Sequence, residues 1–380
     1  MKYIVFADRQ TKKRGIVMAN RARWMKQKKC GVMTHSLSSL CASGVKSRFQ
    51  PKVSWNECVN SFDVKAFAKT LADVGAGYLF FTIMQGHQYM CAPNATFDRI
   101  TGYKPGEACS ERDLIMELSD ELSRYDIDLV LYFTADGAYK DEKAGNAFGY
   151  FDREKEVVTE EFVTKWASVL EEYAVRYGKR VKGWWIDGCY NYFGFDDAKK
   201  DILLKPFKDA TLKGNPGAVI AFNGGVIRCD FDNPKYESYT KGITHPLSRL
   251  RALEHGAMKG EELAKSSFSR PGPCRHSVHD DFTAGEENHF MFYPDGKNGD
   301  DLQWHILSFL APETGGADVF GYAGWSELGS KYSPKELREY VDKVNEAGGA
   351  VTIDIAVFRD GGFDYGQLEV LKALKSIKRQ

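Results

Sequence analysis

Residues 159–188 read TEEFVTKWASVLEEYAVRYGKRVKGWWIDG, a complete helix followed at once by a complete strand. Thr159 supplies a side-chain oxygen for the helix start, and Glu160 and Glu161 put negative charge at the positive end of the helix dipole. Phe162, Trp166, Leu170, Tyr173 and Tyr177 then recur at helical spacing as one apolar stripe, and Gly178 supplies the stop. Such a stripe is core, not a ligand box. In the strand, Val181 to Asp187, alternation puts Trp185 and Asp187 on one face and Trp184 and Ile186 on the other. A helix that leads straight into a strand is one unit of a parallel sheet wrapped by helices.

The same alternation recurs along the chain and predicts eight strands, near Gly31 to His35, Tyr78 to Met84, Asp128 to Thr134, Val181 to Asp187, Ala218 to Asn223, Cys274 to Asp281, Asp318 to Ala323 and Ala350 to Val357. Eight β/α units close a barrel, whereas an open doubly wound sheet usually has fewer strands and a glycine-rich first turn. No G-x-G-x-x-G and no P-loop occurs. Ser333-Pro334-Lys335-Glu336 is a capping box with Pro at the first helical position, followed by Leu337, Tyr340, Val341 and Val344 at helical spacing and ended by Gly348. The expected fold class is therefore α/β, a (β/α)8-like TIM barrel in a single domain over residues 30–380. No linker rich in Pro, Gly or Ser divides it, and no C-terminal β-sandwich is expected. A polar stretch at about 229–269, after the fifth strand, is read as an insertion at the sheet's C-terminal edge, where barrels build lids and subsites.

Composition sets the outer bounds. The chain has 380 residues, 43% hydrophobic and 27% charged, enough apolar material for a large core and too little charge for disorder. Lys+Arg and Asp+Glu are both 52, so the chain lacks the basic balance of a nucleic-acid binder. The basic residues are uneven: residues 1–29 carry Lys2, Arg9, Lys12, Lys13, Arg14, Arg21, Arg23, Lys26, Lys28 and Lys29 against the single acid Asp8, and are read as a basic N-terminal extension. No apolar window is long enough to span a membrane, and Asp8 interrupts the only N-terminal apolar run. Eight cysteines without a C-x-x-C pair suggest reduced thiols, and with them a cytoplasmic protein.

In a barrel the reacting groups sit where strands end. Asp187 ends a strand above a buried Trp185 ring and is followed by Gly188, which lets the backbone turn; it serves either chemistry or the capping of its loop. The densest cluster of ionisable groups is His276-Ser277-Val278-His279-Asp280-Asp281-Phe282-Thr283-Ala284-Gly285-Glu286-Glu287-Asn288-His289. Two readings of it stay open. A metal site would use its histidines and carboxylates, although zinc hydrolase barrels open with paired histidines on the first strand, where this chain has His35 alone. Alternatively, two carboxylates, one ionised at a strand end and one kept protonated by apolar surroundings, do glycoside hydrolysis without metal or cofactor.

Six segments in order carry a resemblance. Trp24 with Cys30-Gly31-Val32-Met33-Thr34-His35, the pair Phe62 to Phe67 and Val74 to Thr82, and the pair Arg112 to Ile115 and Leu131 to Thr134 form the first three units. Trp184-Trp185-Ile186-Asp187-Gly188, Asp281-Phe282-Thr283-Ala284-Gly285-Glu286, and Gly348-Gly349-Ala350-Val351-Thr352-Ile353-Asp354-Ile355 through Asp360-Gly361 complete the set. Together they resemble the alpha-L-fucosidases, a family of retaining exo-glycosidases. The resemblance implies a (β/α)8-like barrel that releases a terminal sugar, alpha-L-fucose or a related one, from a glycan. It implies Asp187 as nucleophile and Glu286 as acid/base, with Glu287 the nearest rival. His35, His87, Trp185, Asn223, Tyr322, Trp325 and Asp354 are the candidate sugar-binding residues. Two departures stand out: the family's Lys-His-His-Asp-Gly after the second strand is Met84-Gln85-Gly86-His87-Gln88 here, and Asp354 stands where the family has Asn. The alternatives are a metal-dependent hydrolase and a non-catalytic glycan-binding barrel.

Overall fold

The structure, a computed structural model, describes residues 20–37, 41, 52–152, 155–196, 198–225, 275–287, 290, 302–312, 325 and 327–377. Among the described residues, seven strands, β1 (Cys30–Thr34), β2 (Tyr78–Thr82), β3 (Asp128–Thr134), β4 (Val181–Asp187), β5 (Val219–Phe222), β6 (His305–Phe309) and β7 (Ala350–Ile355), form one sheet in the order β5-β4-β3-β2-β1-β7-β6. Every adjacent pair is parallel. The helices are α1 (Arg23–Lys28), α2 (Trp55–Asn60), α3 (Val64–Val74), α4 (Ala95–Thr101), α5 (Leu114–Ser123), α6 (Glu142–Phe148), α7 (Glu160–Tyr177), α8 (Lys200–Gly214), α9 (Pro334–Glu346) and α10 (Tyr365–Leu371). Among the described residues no helix is long and apolar enough to cross a membrane.

The predicted capping signals act as expected. Thr159 accepts from Phe162 N–H to start α7, and Ser333 with Glu336 makes a reciprocal capping box on α9. The α7 stripe is buried against the outer face of the sheet: Trp166 stacks on Phe133 and donates its indole N–H to Thr134 O at 2.7 Å. Burying side chains of this size contributes roughly 1.5–3 kcal/mol each, so the stripe accounts for much of the adhesion of α7.

The inner face forms a second core. Met33, Tyr78, Phe80, Val130, Tyr132, Trp185, Val219, Ala221, Phe282, Ala284, Leu307 and Ala350 cluster apart from the layer under the helices. Along each strand they are two residues apart, as the pleat requires. One polar chain is sealed among them. His305 Nδ1 faces the carbonyl of Thr283 at 3.0 Å, which accepts only, so Nδ1 carries the proton and Nε2 accepts from the Thr352 hydroxyl at 2.7 Å. Burial pushes the His305 pKa down to about 4, keeping the ring neutral.

The predicted sixth strand needs correction. Residues 276–279 turn instead of extending, because the Asp280 carboxylate accepts from His276 N–H at 2.7 Å and Ser277 N–H at 2.8 Å and so competes with a sheet ladder. The strand-like segment lies later, at residues 281–287. Asp281 N–H donates to Ile220 O of β5, while Thr283 and Glu287 N–H donate to Gln303 O and Leu307 O beside and on β6. Phe282 and Glu286 make parallel bridges to Gln303 and Leu307. This segment thus links the two edge strands of the curled sheet, an α/β arrangement consistent with a TIM-like barrel. The strand that follows it, β6, was not among the sequence expectations. The predicted strand at 318–323 and the insertion at about 229–269 lie outside the described residues, as do residues 1–19 of the basic extension. Residues 23–28 of that extension form α1, with Met25 fully buried and Arg21 clamped on the Asp281 carboxylate at 2.6 and 2.8 Å.

Candidate active site

The same two-residue alternation that fills the interior with apolar groups ends, at the C-terminal edge, in polar ones. Asp187 follows Trp185 on β4, Asn223 follows Ala221 at the end of β5, Glu286 follows Ala284, Asp354 follows Thr352 on β7, and His35 follows Met33 just past β1. Trp185 is buried beneath them, stacked on Tyr132 at 5.3 Å with its indole N–H on Ala284 O at 3.1 Å.

Backbone hydrogen bonds fix Asp187 on both sides. Ala135 N–H donates to Asp187 O at 2.7 Å, and Asn223 N–H donates to Ile186 O at 2.7 Å. Gly188 turns the chain away at φ +74°, and a Cβ there would lie 2.7 Å from the Asp136 carboxyl carbon, so a side chain is excluded on two counts. The carboxylate of Asp187 accepts three bonds: Tyr132 hydroxyl to Oδ2 at 2.6 Å, Tyr190 hydroxyl to Oδ1 at 2.9 Å, and Asn223 Nδ2 to Oδ1 at 2.9 Å. Burial, and then the charge of Asp187, raise both phenols well above their usual range, so they remain protonated donors.

Glu286 is reached through an equally constrained turn. Gly285 has φ +67°, and a Cβ on it would sit 2.0 Å from His305 O, so only glycine lets this segment lie so close to β6. The Glu286 side chain faces Asp187, and its Oε2 accepts from Asn223 Nδ2, the nitrogen that also serves Asp187. Burial, reinforced by the charge of Asp187 and opposed by the Asn223 bond, pushes the Glu286 pKa up to about 8. At neutral pH it holds a proton. Glu287 faces the other way, accepting from the Tyr340 hydroxyl of α9 at 2.5 Å.

His35 and Asp354 are paired, Nδ1 to Oδ1 at 2.8 Å, and both are buried. The imidazole lies edge-on to Tyr132 at 5.6 Å and to Trp325 at 6.2 Å, and Trp325 packs on Phe309 of β6. His35, Asp354 and Trp325 thus join Asp187 through Tyr132. His87 stands apart: it is half-buried in the loop after β2, and its charged neighbours are Lys140 and Asp141. Burial lowers its pKa, as does Lys140. Tyr322 lies outside the described residues. Sequence reasoning missed Tyr132, Tyr190 and Asp136. Tyr132 was legible in principle, being two residues before the end of a correctly placed strand and on its inner face. Tyr190 and Asp136 sit in loops, where alternation gives no facing. Among the described residues no group of three His, Cys, Asp or Glu side chains could hold a metal ion.

Comparison with known proteins bears on this geometry. A family model described as alpha-L-fucosidase matches residues 17–376. No curated protein matches the chain. Among solved structures, the endo-fucoidan hydrolase MfFcnA9 of glycoside hydrolase family 107 superposes with a TM-score of 0.58 at 13% identity, covering 93% of this chain and 63% of its own. A second, P5AFcnA, gives 0.58 at 13% identity over 94% of this chain and 92% of its own. A GH29 alpha-L-fucosidase from Bacteroides thetaiotaomicron, trapped as a covalent intermediate in complex with 2-fluoro-fucosyl fluoride, gives 0.53 at 16% identity over 94% and 74%. The chain therefore spans less than two thirds of MfFcnA9. At these identities the structural likeness is one of fold.

Proposed function

This chain belongs to the alpha-L-fucosidase family, and from that premise we propose that it is a glycoside hydrolase working by double displacement, with Asp187 as nucleophile and Glu286 as acid/base. One observation carries the reading: Asp187 Oδ1 and Glu286 Oε2 share a single amide nitrogen. Two oxygens held by one nitrogen, the Asp187 oxygen at 2.9 Å and the Glu286 oxygen closer still, lie no more than ~5.5 Å apart. This limit supports the spacing of retaining enzymes, about 5–5.5 Å, over the about 6.5–9.5 Å at which inverting enzymes hold a water between their carboxylates.

In the first step an Asp187 oxygen bonds the anomeric carbon while the bond to the leaving oxygen breaks and Glu286 passes its proton to that oxygen. In the second, the Glu286 carboxylate takes a proton from water, the water oxygen bonds the anomeric carbon, and the Asp187 ester breaks. Asp187 ends ionised and Glu286 protonated, as they began. The substrate reading is an exo-acting enzyme releasing a terminal alpha-L-fucose or a related sugar. The His35–Asp354 pair supports hydroxyl recognition, because Asp354 accepts at Nδ1 and so leaves Nε2 as the atom free to meet a ligand. Trp325 beside it supplies an apolar ring face for the sugar. His87, from the loop after β2, and Trp185, from beneath, complete the proposed contacts, while the Asn223 amide is committed to Asp187, Glu286 and Gly225 N–H and serves the carboxylates. We read the fold as a (β/α)8 barrel in one domain, residues 281–287 serving as one of its staves.

Hydrolysis of an aryl alpha-L-fucoside, followed by proton NMR from the first minutes, is expected to release the alpha anomer first. The beta anomer appearing first would reject double displacement, and oligosaccharide products from a polymeric substrate would reject the exo reading.

A further inference from the structure

Asn223 is held more rigidly than a residue that only caps a strand. Its backbone N–H donates to Ile186 O at 2.7 Å, its carbonyl accepts from Cys189 N–H at 3.1 Å, and its side chain is buried. Its Oδ1 accepts from Gly225 N–H at 3.2 Å, which fixes the amide orientation and leaves Nδ2 turned to the carboxylates. Nδ2 then donates to Asp187 Oδ1 and to Glu286 Oε2.

We propose that Asn223 is a positioning residue that sets the separation of the two carboxylates and stabilises whichever of them carries the negative charge at each step. The proposal rests on the assignment of Asp187 and Glu286 as the reacting pair. That pair carries one negative charge throughout the cycle. The charge is on Asp187 in the resting enzyme and on Glu286 once Asp187 is esterified. A hydrogen bond to an ionised acceptor is roughly twice as strong as one to a neutral acceptor. With one N–H on each carboxylate, the stronger bond passes from one to the other without movement of the amide. A side chain of another charge would fail at this position. A cation would hold both carboxylates ionised and leave no acid, and a third carboxylate would add repulsion inside a buried site. The groups coupled to Glu286 are Asp187 and Tyr190 from β4 and its loop, Tyr132 from β3, and Asn223 from the end of β5. Both tyrosines stay neutral, which leaves Asp187 as the closest charge coupled to its titration.

The test is to follow the Glu286 carboxyl carbon by NMR in glutamate-labelled protein, its resonance assigned by its loss in Glu286→Gln. Removal of the Asn223 donor in Asn223→Ala and Asn223→Ser is expected to raise the Glu286 midpoint by about one pH unit, a tenfold change in its proton equilibrium. The alkaline limb of kcat/KM should move with it. A merely structural role would lower the rate without moving either. An unchanged or lowered midpoint in folded variants would overturn the proposal. Should both variants unfold, the wild type answers the same question. One Asn223 amide proton should shift downfield as Glu286 ionises, and an indifferent amide overturns the idea. Full activity in Asp187→Asn or Glu286→Gln would instead sink the assignment beneath it, whatever Asn223 does.

Discussion

Asp187→Asn is expected to lower kcat/KM on aryl alpha-L-fucosides by on the order of ten-thousand-fold, ~5.5 kcal/mol of transition-state stabilisation, with an unchanged fold. The loss follows from chemistry, since an amide cannot form the glycosyl ester. The fold survives because the three groups on Asp187 adapt to an isosteric amide. Its oxygen still accepts from Asn223 and Tyr190, and its nitrogen can donate to the Tyr132 hydroxyl, which turns from donor to acceptor. Circular dichroism and a thermal melt alongside the kinetics separate the two effects. Activity near wild type would remove Asp187 from the mechanism.

Glu286→Gln is expected to act selectively. With a poor leaving group such as phenol, loss of the acid should cost about 10²–10⁴-fold. With dinitrophenol, which departs without protonation, formation of the glycosyl-enzyme should be nearly untouched while its hydrolysis slows, so the intermediate accumulates and a burst of dinitrophenol appears. External azide should rescue the second step and yield a glycosyl azide of retained configuration. The pH profile carries the same signature. Glu286 must be protonated to act as acid, and burial beside Asp187 holds its pKa at about 8. In the wild type kcat/KM should therefore fall above about pH 8 by tenfold per unit, and that limb should vanish in the variant. A loss of equal size with both leaving groups and an unshifted limb would show that Glu286 is not the acid.

Much of this site was legible because strand alternation fixes facing. Once β4 was placed at residues 181–187, Trp185 and Asp187 had to share the inner face, and the structure puts them there. The choice between Glu286 and Glu287 was beyond the sequence, because neighbouring residues on an irregular strand differ only in facing. That facing is set by distant partners, Asn223 on one side and Tyr340 on the other. The sixth strand was misplaced for a related reason. His276 to Asp281 looks like a polar strand until Asp280 closes on its own backbone, a local competition that periodicity does not register. β6, with the sequence His305-Ile306-Leu307-Ser308-Phe309, was missed because its inner face mixes a buried neutral histidine with apolar residues and so breaks the expected pattern. Asp354 departs from the family's Asn, and the pairing of β1 with β7 is what makes it the partner of His35, a long-range contact that local sequence does not encode.

The most direct measurement is covalent capture. Incubation with 2-fluoro-alpha-L-fucosyl fluoride should add one deoxyfluorofucosyl group to the intact protein, because the 2-fluorine slows both formation and hydrolysis of the intermediate while the departing anomeric fluoride keeps formation the faster step. Peptide mapping by tandem mass spectrometry is expected to find that group on Asp187 and nowhere else. A label on another side chain, or turnover of the reagent with inversion and no label at all, would contradict the account.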